Sequence, residues 1–290
     1  MPVAAIQSAE TVAALRAVAV SDTALSTPCR DAFAHCFLNS RSRRLLDLVP
    51  HGLIKALLNL AAPGSYAFTV ARTRHFDEAL LSALRDGATQ IVILGAGYDS
   101  RALRFQRALQ GARVFELDHP GTQARKVKML AETNTQFPSN VTLIDIDFSR
   151  QSFAKALFRH GFDRRQKTLF LWEGVSYYLP EAAVTAVLDF VASAARGSAV
   201  VFDYAVARFV AGHTDTYGGR QVARWLKKIG EPFLFGLAPS EAPAFLARHG
   251  LRAASHVGPA DLERLYLGTT DGRPAGRTLG HVRIIEGRVP

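Results

Sequence analysis

A glycine-rich turn in the first third of the chain has the residue types of a cofactor site. The apolar run Ile91–Leu94 is followed by Gly95, Ala96 and Gly97, and then by a helical pattern. Without a Cβ, the glycine backbone lets a ligand approach where a strand passes into a helix. A nucleotide-type cofactor is therefore expected here, although glycines that merely end a strand give the same pattern.

The residues after this turn distinguish between two cofactor classes. Ser100 stands where the dinucleotide pattern has its third glycine, and Asp99 stands where a pyrophosphate would approach. A carboxylate there repels phosphate and attracts an ammonium group. A ligand bearing an ammonium group is favoured, and a nicotinamide-dependent oxidoreductase stays as the alternative.

Acidic residues follow the next strand-like segments at the spacing that a ribose requires. Glu116 and Asp118 lie about 20 residues after Gly97, where a carboxylate accepts hydrogen bonds from ribose hydroxyls. Either carboxylate satisfies the pattern, and a solvated acid at a strand end is the other interpretation of each.

Two further acidic positions continue the series. Asp147 and Phe148 follow the third strand, where a carboxylate beside an apolar ring accepts the adenine amino group and covers the base. Asp147 is also a good N-cap for a helix from Ser149 onward. Glu173 leaves the fourth strand at the edge where ligands bind in such folds.

The elements that position these residues alternate between strand and helix. Short apolar runs predict parallel strands at Gln90–Leu94, Arg113–Leu117, Val141–Asp145, Thr168–Trp172 and Ala199–Tyr204. Helices are predicted between them, at Phe76–Arg85, Ser100–Ala108, Pro120–Thr133, Gln151–Arg159 and Glu181–Ala195. Five parallel strands with helices between them predict a doubly wound α/β fold.

Both ends of the chain add to this pattern. The first seventy-five residues are helical in pattern and predict a cap. An insertion at Ala207–Gly236 holds a helix at Arg220–Ile229, and another helix is expected at Ser240–His249. The segments Leu251–His256 and His281–Glu286 predict an antiparallel hairpin. The prediction is thus a class I methyltransferase (Rossmann-like) fold with seven strands, residues 1–75 forming the cap and residues 76–290 the cofactor-binding domain.

Composition limits the environment and the partners. A chain of 290 residues with 48% hydrophobic content fills a sizeable core, and its two cysteines, Cys29 and Cys36, lack redox or zinc spacing. No signal peptide or bilayer-length apolar run is recognised, which predicts a soluble cytoplasmic protein. The net charge of +10 is compatible with nucleic acid as a partner.

Five motifs in order resemble one known family. ARTRHFDE (Ala71–Glu78), LGAGYDSR (Leu94–Arg101), FELDHP (Phe115–Pro120), IDIDF (Ile144–Phe148) and WEGVSYYL (Trp172–Leu179) resemble the leucine carboxyl methyltransferase family. The resemblance is greatest to its bacterial branch of S-adenosylmethionine-dependent methyltransferases, and it extends to the GEPFLFG segment at Gly230–Gly236.

The resemblance implies S-adenosylmethionine as the cofactor and a role for each matching residue. It assigns the cofactor's carboxylate to Arg72, with Arg74 as a neighbour able to share that task, and it assigns the acceptor side to Tyr178. It assigns the remaining cofactor contacts to the glycine turn and to four residues beyond it: Gly95, Ala96, Gly97, Asp118, Asp147, Phe148 and Glu173. Phe148 departs from the more usual leucine, exchanging one apolar cover for another.

The acceptor group is left open between a carboxylate and a hydroxyl. A carboxylate is already ionised and needs donors or a cation, whereas an alcohol or phenol benefits from a general base. The expected polar groups around the acceptor are Tyr177, Tyr178, Tyr204, His213 and Arg220, with His213 as the best single base. An exposed loop histidine is the alternative interpretation of His213.

Metal dependence is not expected. Asp145, Asp147, His213 and Asp215 are possible ligands but form no compact motif.

The predicted function is S-adenosylmethionine-dependent O-methylation of a small molecule or a peptide terminus. Nucleic-acid methylation is the alternative that the basic clusters allow, although such clusters more often form solvated faces. No membrane partner is predicted, and the sequence does not indicate an oligomeric state. The basic clusters that allow the nucleic-acid alternative are Arg41-Ser42-Arg43-Arg44, Arg164-Arg165-Gln166-Lys167 and Lys227-Lys228.

Overall fold

One mixed sheet runs through the part of the chain that the computed structural model describes, which is residues 2–26, 29–148, 151–269 and 274–290, with side chains from residue 8 onward. Its strands are β1 (Gln90–Leu94), β2 (Arg113–Asp118), β3 (Val141–Asp145), β4 (Thr168–Trp172), β5 (Ala199–Val206), β6 (Gly236–Leu237), β7 (Arg252–Val257) and β8 (Val282–Arg288).

Helices surround this sheet. They are α1 (Pro2–Val20), α2 (Ser40–Leu48), α3 (His51–Ala61), α4 (Ser65–Arg85), α5 (Arg101–Arg104), α6 (Pro120–Ala131), α7 (Phe153–Arg159), α8 (Glu181–Ala192), α9 (Ala207–Val210), α10 (Gly219–Ile229), α11 (Ala242–Arg248) and α12 (Pro259–Tyr266). Single turns of 3-10 helix lie at Ala34–Phe37 and Ser176–Tyr178.

The order of the strands creates a switch point beside the glycine turn. The sheet runs β3-β2-β1-β4-β5-β8-β7; its first five strands are parallel, and β8 is antiparallel to both β5 and β7. Strand order reverses between β1 and β4, and ligands of such sheets bind in the crevice at that point. The turns after β1 and β4 therefore flank the expected binding crevice.

The two faces of the sheet carry separate hydrophobic cores. Successive side chains of a strand point to opposite faces, so Ile91 and Ile93 pack in one core while Val92 and Leu94 pack in the other. Burial on both faces explains why the sequence of β1 contains an uninterrupted apolar run. The sheet thereby fixes the carboxyl ends of the strands, where the site residues lie.

The predicted fold class is confirmed, with one strand more than expected. The five parallel strands and the C-terminal antiparallel hairpin lie where the sequence places them. The additional strand, β6, has two residues and pairs with the end of β5 at Ala205 and Val206. It begins at the last residue of the predicted insertion and attaches the end of that insertion to β5.

Two helices differ by more than three residues from their predicted extents. α4 begins at Ser65 rather than Phe76, because the break in the chain falls at Gly64, whose φ of 84° requires a residue without a Cβ. α4 therefore runs through the predicted boundary at residue 75, and the division into two domains stays a prediction. The helix predicted at Ser100–Ala108 is limited to Arg101–Arg104, because the chain leaves helical geometry at Phe105.

The N-terminal helices cover one side of the sheet's carboxyl edge. α1 contacts α3, α4 and α6, so it spans the crevice from the cap to the domain. No single helix of the described ranges is long and apolar enough to cross a bilayer. α3 and α4 reach the required length and composition only as a pair, and the chain bends by 107° between them.

Candidate functional site

A cavity of about 630 Å³ opens at the switch point, under the N-terminal helices. Its volume falls within the range of about 300–1,000 Å³ that is typical of small-molecule sites. The turns after β1, β2, β3 and β4 form one wall, and α1, α3, α4 and α10 form the others. Residues from both the predicted cap and the predicted cofactor domain thus line the same space.

The glycine turn lines this cavity in the conformation that glycine favours. Gly95 and Gly97 have φ angles of 66° and 47°. A Cβ on Gly95 would overlap the side chain of Val175, whereas the nearest atom to one on Gly97 is the Cβ of Ala9, at 3.8 Å. The backbone of Ala96 donates to Leu117 O at 2.9 Å, which ties the turn to β2. The turn is rigid and leaves space for a ligand beside Gly97.

The structure separates the two acids that follow β2. Glu116 is fully buried and its carboxylate lies 2.6 Å from the Lys126 ammonium, away from the cavity wall. Asp118 lines the cavity and accepts from the backbone N–H groups of Gly97 and His119. Burial raises the pKa of Asp118, and those two N–H donors oppose the increase. Asp118 is therefore the acid in position to meet a ribose.

The acid and the ring that follow β3 line the same cavity as Asp118. Asp147 and Phe148 are both half-buried at its wall. α7 begins at Phe153, and Ser152 is its cap, accepting from Lys155 N at 3.4 Å. The alternative in which Asp147 caps a helix from Ser149 onward concerns residues 149 and 150, which lie outside the described ranges. The two acids that should bracket a nucleoside are brought together.

A buried ion-pair group lies at the other side of the glycine turn. Glu173 contacts two arginines, with its oxygens 2.9 Å from Arg72 Nε and 2.7 Å from Arg101 Nη2. Burial acts to raise the pKa of Glu173, but Arg101 and Arg72 outweigh it and hold the value below normal. Asp203, within β5, also binds Arg72, at 3.0 Å.

Arg101 joins this group to the glycine turn. Its guanidinium forms an ion pair with Asp99, and it lies 2.8 Å from Asp77. Burial opposes ionisation of Asp99, but Arg101 dominates and lowers the pKa of Asp99 to about 2. Asp99 therefore lines the cavity as a carboxylate that already has one cationic partner.

The ion pairs extend into one network with an excess of acid. We call it the charged network, and it contains four arginines and five carboxylates: Arg16, Arg72, Arg101, Arg104, Asp31, Asp77, Asp99, Glu173 and Asp203. Burial raises the pKa of Asp203 despite its pairing with Arg72. An excess buried carboxylate is costly unless a cation approaches it, so the network fits a cationic ligand.

The other end of the cavity is aromatic and adjoins the charged residues, because Arg72 Nη1 donates to the Tyr177 hydroxyl at 3.4 Å. Phe233 packs on Tyr177 and Tyr178 with ring centroids 4.2 Å and 5.2 Å apart, and Phe209 packs behind it at 5.7 Å. His281 stacks on Phe209 at 3.9 Å. We call these five side chains the aromatic wall. Tyr177, Tyr178, Phe233 and His281 line the cavity, together with Gln221, Val222 and Trp225 from α10.

Three predicted acceptor residues do not reach the cavity. His213 is exposed in the loop after α9, and Arg220 is exposed on α10, whose cavity face carries Gln221 and Trp225 instead. Tyr204 lies on the opposite face of β5 from Asp203, and its hydroxyl is 2.7 Å from His256 Nε2. The course of the loop and the phase of α10, which the sequence leaves undetermined, explain the displacement of His213 and Arg220. Alternation of side chains along β5 explains that of Tyr204.

Sequence reasoning missed Asp203 and His281. Asp203 interrupts the apolar strand β5, and an acid in a buried strand is a signal that the sequence contains. His281 precedes β8 and reaches the site because β8 pairs with β5, a pairing that no local pattern reveals. Among the described residues, no three His, Cys, Asp or Glu side chains are grouped as metal ligands would be.

Comparison with solved structures identifies the class of this fold. A crystal structure of a methyltransferase candidate from Thermobifida fusca superposes with a TM-score of 0.59 over 94% of each chain, at 17% identity. A DUF574 family protein from Streptomyces avermitilis gives a TM-score of 0.60 over 83% of this chain and 90% of that one, at 15% identity. The fold, with its glycine turn and strand-end acids, is that of the class I S-adenosylmethionine-dependent methyltransferases.

Comparison of sequences identifies the family. Residues 9–192 match the leucine carboxyl methyltransferase family, and the chain belongs to it. Its enzymes use S-adenosylmethionine, and this chain is such a methyltransferase, so the nicotinamide alternative is set aside.

Individual relatives agree with the family assignment. YktD of Bacillus subtilis, named as a candidate S-adenosylmethionine-dependent methyltransferase, is 28% identical over 75% of this chain and 72% of its own length. A Mycolicibacterium smegmatis protein with a similar name is 33% identical over 55% of this chain, and the match spans about half of that relative's length (52%).

Proposed function

We propose that this protein transfers the methyl group of S-adenosylmethionine to an oxygen of a small, largely apolar molecule, either a carboxylate or a hydroxyl. The observation that carries the proposal is the single cavity that joins the glycine turn and Asp118 to the aromatic wall. A methyl donor at one end would face an acceptor at the other. A small molecule or the end of a peptide fits this enclosed space, whereas a nucleic-acid duplex does not.

The residues present fit the cofactor. In this proposal Asp118 accepts from the ribose hydroxyls, Asp147 and Phe148 hold the adenine, and Gly95, Ala96 and Gly97 lie beneath the ribose and methionine. The sulfonium and ammonium groups of S-adenosylmethionine outnumber its one carboxylate, so it carries a net positive charge. The excess carboxylate of the charged network is complementary to that charge.

Arg72 already has three polar partners within the described chain, two acids and the Tyr177 hydroxyl, to which its Nη1 donates at 3.4 Å. Its Nε and Nη1 contact Glu173 and Asp203. A guanidinium has five donors in a planar fork, so Arg72 is proposed to contact the cofactor's carboxylate in addition to those two acids. Glu173 is then the acid nearest the methionine end.

The chain's contribution to the reaction is chiefly alignment. Transfer of a methyl group is an in-line displacement, which accelerates when donor and acceptor are held about 3 Å apart in line. The aromatic wall excludes water and positions the acceptor, while the charged network positions the methionine end. We also propose that the protein acts in the cytoplasm.

Binding of the demethylated product, S-adenosylhomocysteine, tests the cofactor half of this proposal. Loss of the Asp118 carboxylate removes charge-assisted hydrogen bonds, which contribute about 1.5–3 kcal/mol each. We expect Asp118→Asn to weaken binding about 10²-fold in calorimetry. Asp145→Asn is the matched control. Asp145 lies on β3, in register with Asp118 on β2, but it is exposed and outside the cavity. Equal affinities of the two variants would refute the assignment.

The chemistry of the product tests the acceptor half. Wild-type enzyme with labelled S-adenosylmethionine is offered a panel of carboxylic acids, phenols, alcohols and peptides. A carboxyl methyl ester releases methanol in mild alkali, whereas a methyl ether resists it. Label in either product supports O-methylation, and label found only on nitrogen or carbon atoms would overturn it.

A further inference from the structure

His281 occupies the boundary between the sheet and the acceptor end of the cavity. It immediately precedes β8, and its carbonyl accepts from Val206 N at 2.8 Å, which fixes it at the carboxyl end of β5. Its side chain is fully buried, and it lines the cavity beside Leu279 and Val282. A histidine is therefore held at the edge of the sheet where catalytic groups of such folds lie.

The His281 ring has described contacts at one face and at one nitrogen, while its other nitrogen is unpaired. One ring face stacks on Phe209, and Nδ1 lies 3.3 Å from the Thr216 hydroxyl. Nε2 is buried and has no hydrogen-bond partner among the described residues. Buried polar atoms are nearly always paired, and an unpaired one in a binding cavity indicates a place that a ligand completes.

The ring is neutral under ordinary conditions. Burial lowers the pKa of His281 to about 4, so an uncharged imidazole faces the site at neutral pH. When Nδ1–H donates to Thr216, Nε2 keeps its lone pair and is an acceptor of hydrogen bonds. Thr216 lies in the predicted insertion, which therefore orients the ring.

The charges around the cavity disfavour a carboxylate as the second ligand. The only Arg or Lys side chains among the described lining residues are Arg16 and Arg72, and acids of the charged network already pair with both. The acceptor end instead contains Glu231, which is partly buried. Arg72 Nη1 also lies 3.4 Å from the Tyr177 hydroxyl, but Glu173 and Asp203 offset its charge. An ionised acceptor placed there would therefore lose its water without gaining an unpaired cation.

We propose that His281 Nε2 accepts the proton of an acceptor hydroxyl, and that the acceptor is an uncharged phenol or alcohol; this rests on the function proposed above. The acceptor oxygen forms a bond to the methyl carbon, and the carbon–sulfur bond breaks with its electron pair remaining on sulfur. The hydroxyl proton moves to Nε2, so the positive charge passes from the sulfonium to the imidazolium. Release of that proton to solvent restores the enzyme.

A matched pair of probes tests this substrate class without knowledge of the natural acceptor. Calorimetry measures binding of 2-naphthol and of 2-naphthoate, which differ in the polar group, to protein saturated with S-adenosylhomocysteine. We expect 2-naphthol to bind at least tenfold more tightly. His281→Gln should remove most of that preference, while His256→Gln, at a half-buried histidine paired with Tyr204 outside the cavity, should retain it.

Kinetics with 2-naphthol and S-adenosylmethionine test the proton transfer. General-base catalysis contributes about 10²–10⁴-fold, so His281→Gln should lower kcat at least 10²-fold while leaving the KM for S-adenosylmethionine within threefold. Thr216→Val should lower kcat by a smaller factor, because Thr216 only orients the ring. A thermal melt of each variant identifies any loss that reflects unfolding.

The outcomes separate this inference from the function it rests on. Failure of the wild type to bind S-adenosylhomocysteine contradicts the proposed function itself. Where S-adenosylhomocysteine binds normally, three results would overturn only the assignment of His281. They are equal binding of 2-naphthoate and 2-naphthol, binding of neither probe, and a wild-type kcat in folded His281→Gln.

Discussion

The two ends of the cavity are stabilised by different interactions. The charged network, which we propose to hold the methionine end, contains nine ionisable side chains, and Arg72, Arg101, Asp99 and Asp203 are buried. The aromatic wall holds the other end by ring packing, and its one basic side chain, His281, is neutral at pH 7. One end is suited to a charged ligand of fixed geometry, and the other to an uncharged ligand whose shape is less restricted.

This difference indicates which part of the site is general and which is specific. A network of paired charges loses much of its free energy when one member is removed, so it tolerates little change and fits a cofactor common to many enzymes. Aromatic packing tolerates volume-conserving exchange more readily. The acceptor is therefore expected to vary among relatives at Phe233, Trp225 and Tyr178, while the charged network is retained.

Removal of Glu173 should have the largest effect on stability. Glu173→Gln leaves Arg72 and Arg101 without their shared carboxylate, and breaking a buried ion pair costs about 3–5 kcal/mol of unfolding free energy. Denaturant titration measures the loss. The exposed Glu241→Gln is the control and should change the free energy by less than about 0.5 kcal/mol. Equal losses of unfolding free energy in Glu173→Gln and Glu241→Gln would show that the charged network does not stabilise the fold.

The neutral state of His281 predicts a pH-dependent stability. Its pKa is about 4 when folded and 6.5 when exposed by unfolding, so the unfolded chain binds the extra proton between these values. The contribution to stability is complete above pH 6.5 and declines as the pH falls toward 4, by on the order of 3 kcal/mol. His281→Gln should lack this component. Parallel stability curves for the two proteins from pH 7.5 to 4 would contradict the neutral assignment.

A Cβ in the glycine turn should disturb the cofactor end to an intermediate degree. Gly95→Ala combines an unfavourable φ of 66° with overlap on Val175, and a loss of about 2 kcal/mol or more is expected. Gly212→Ala separates these causes, because Gly212 has a φ of 94° but no atom within 4 Å of an added Cβ. The control should lose about half as much. Adding Val175→Ala to Gly95→Ala should recover part of the stability, and no recovery would exclude the overlap.

The smallest effect is expected from removal of the Tyr178 hydroxyl in the aromatic wall. Tyr178→Phe keeps the ring packing but removes the hydroxyl, and one hydrogen bond contributes about 0.5–1.5 kcal/mol. We expect the KM for 2-naphthol to change by about 2- to 12-fold, with binding of S-adenosylhomocysteine unchanged. Tyr204→Phe, outside the cavity, should leave both values unchanged. A large loss of cofactor affinity in Tyr178→Phe would mean that the two ends are not separate.

The cofactor end was largely predictable from sequence because its residues follow their strands directly. A parallel sheet places all strand ends at one edge, so Gly95, Asp118, Asp147 and Glu173 meet without knowledge of side-chain packing. The spacing alone left Glu116 and Asp118 equivalent, and the family resemblance selected Asp118. The structure adds the physical reason, because Glu116 is buried and paired with Lys126.

The acceptor end was harder to predict because it depends on long-range placement. His213 and Arg220 have suitable chemistry, but the phase of α10 and the course of the preceding loop direct them to solvent. His281 lies far along the chain and reaches the site through the pairing of β8 with β5. Residues positioned by non-local pairing leave no periodic signal in the sequence.

A crystal structure of the protein with S-adenosylhomocysteine and 2-naphthol would test the shared cavity most directly. The account predicts ribose hydroxyls within hydrogen-bond distance of Asp118, and the naphthol oxygen between the cofactor's sulfur and His281 Nε2. A nucleoside bound away from Asp118, or a naphthol oriented with its oxygen away from His281, would contradict it.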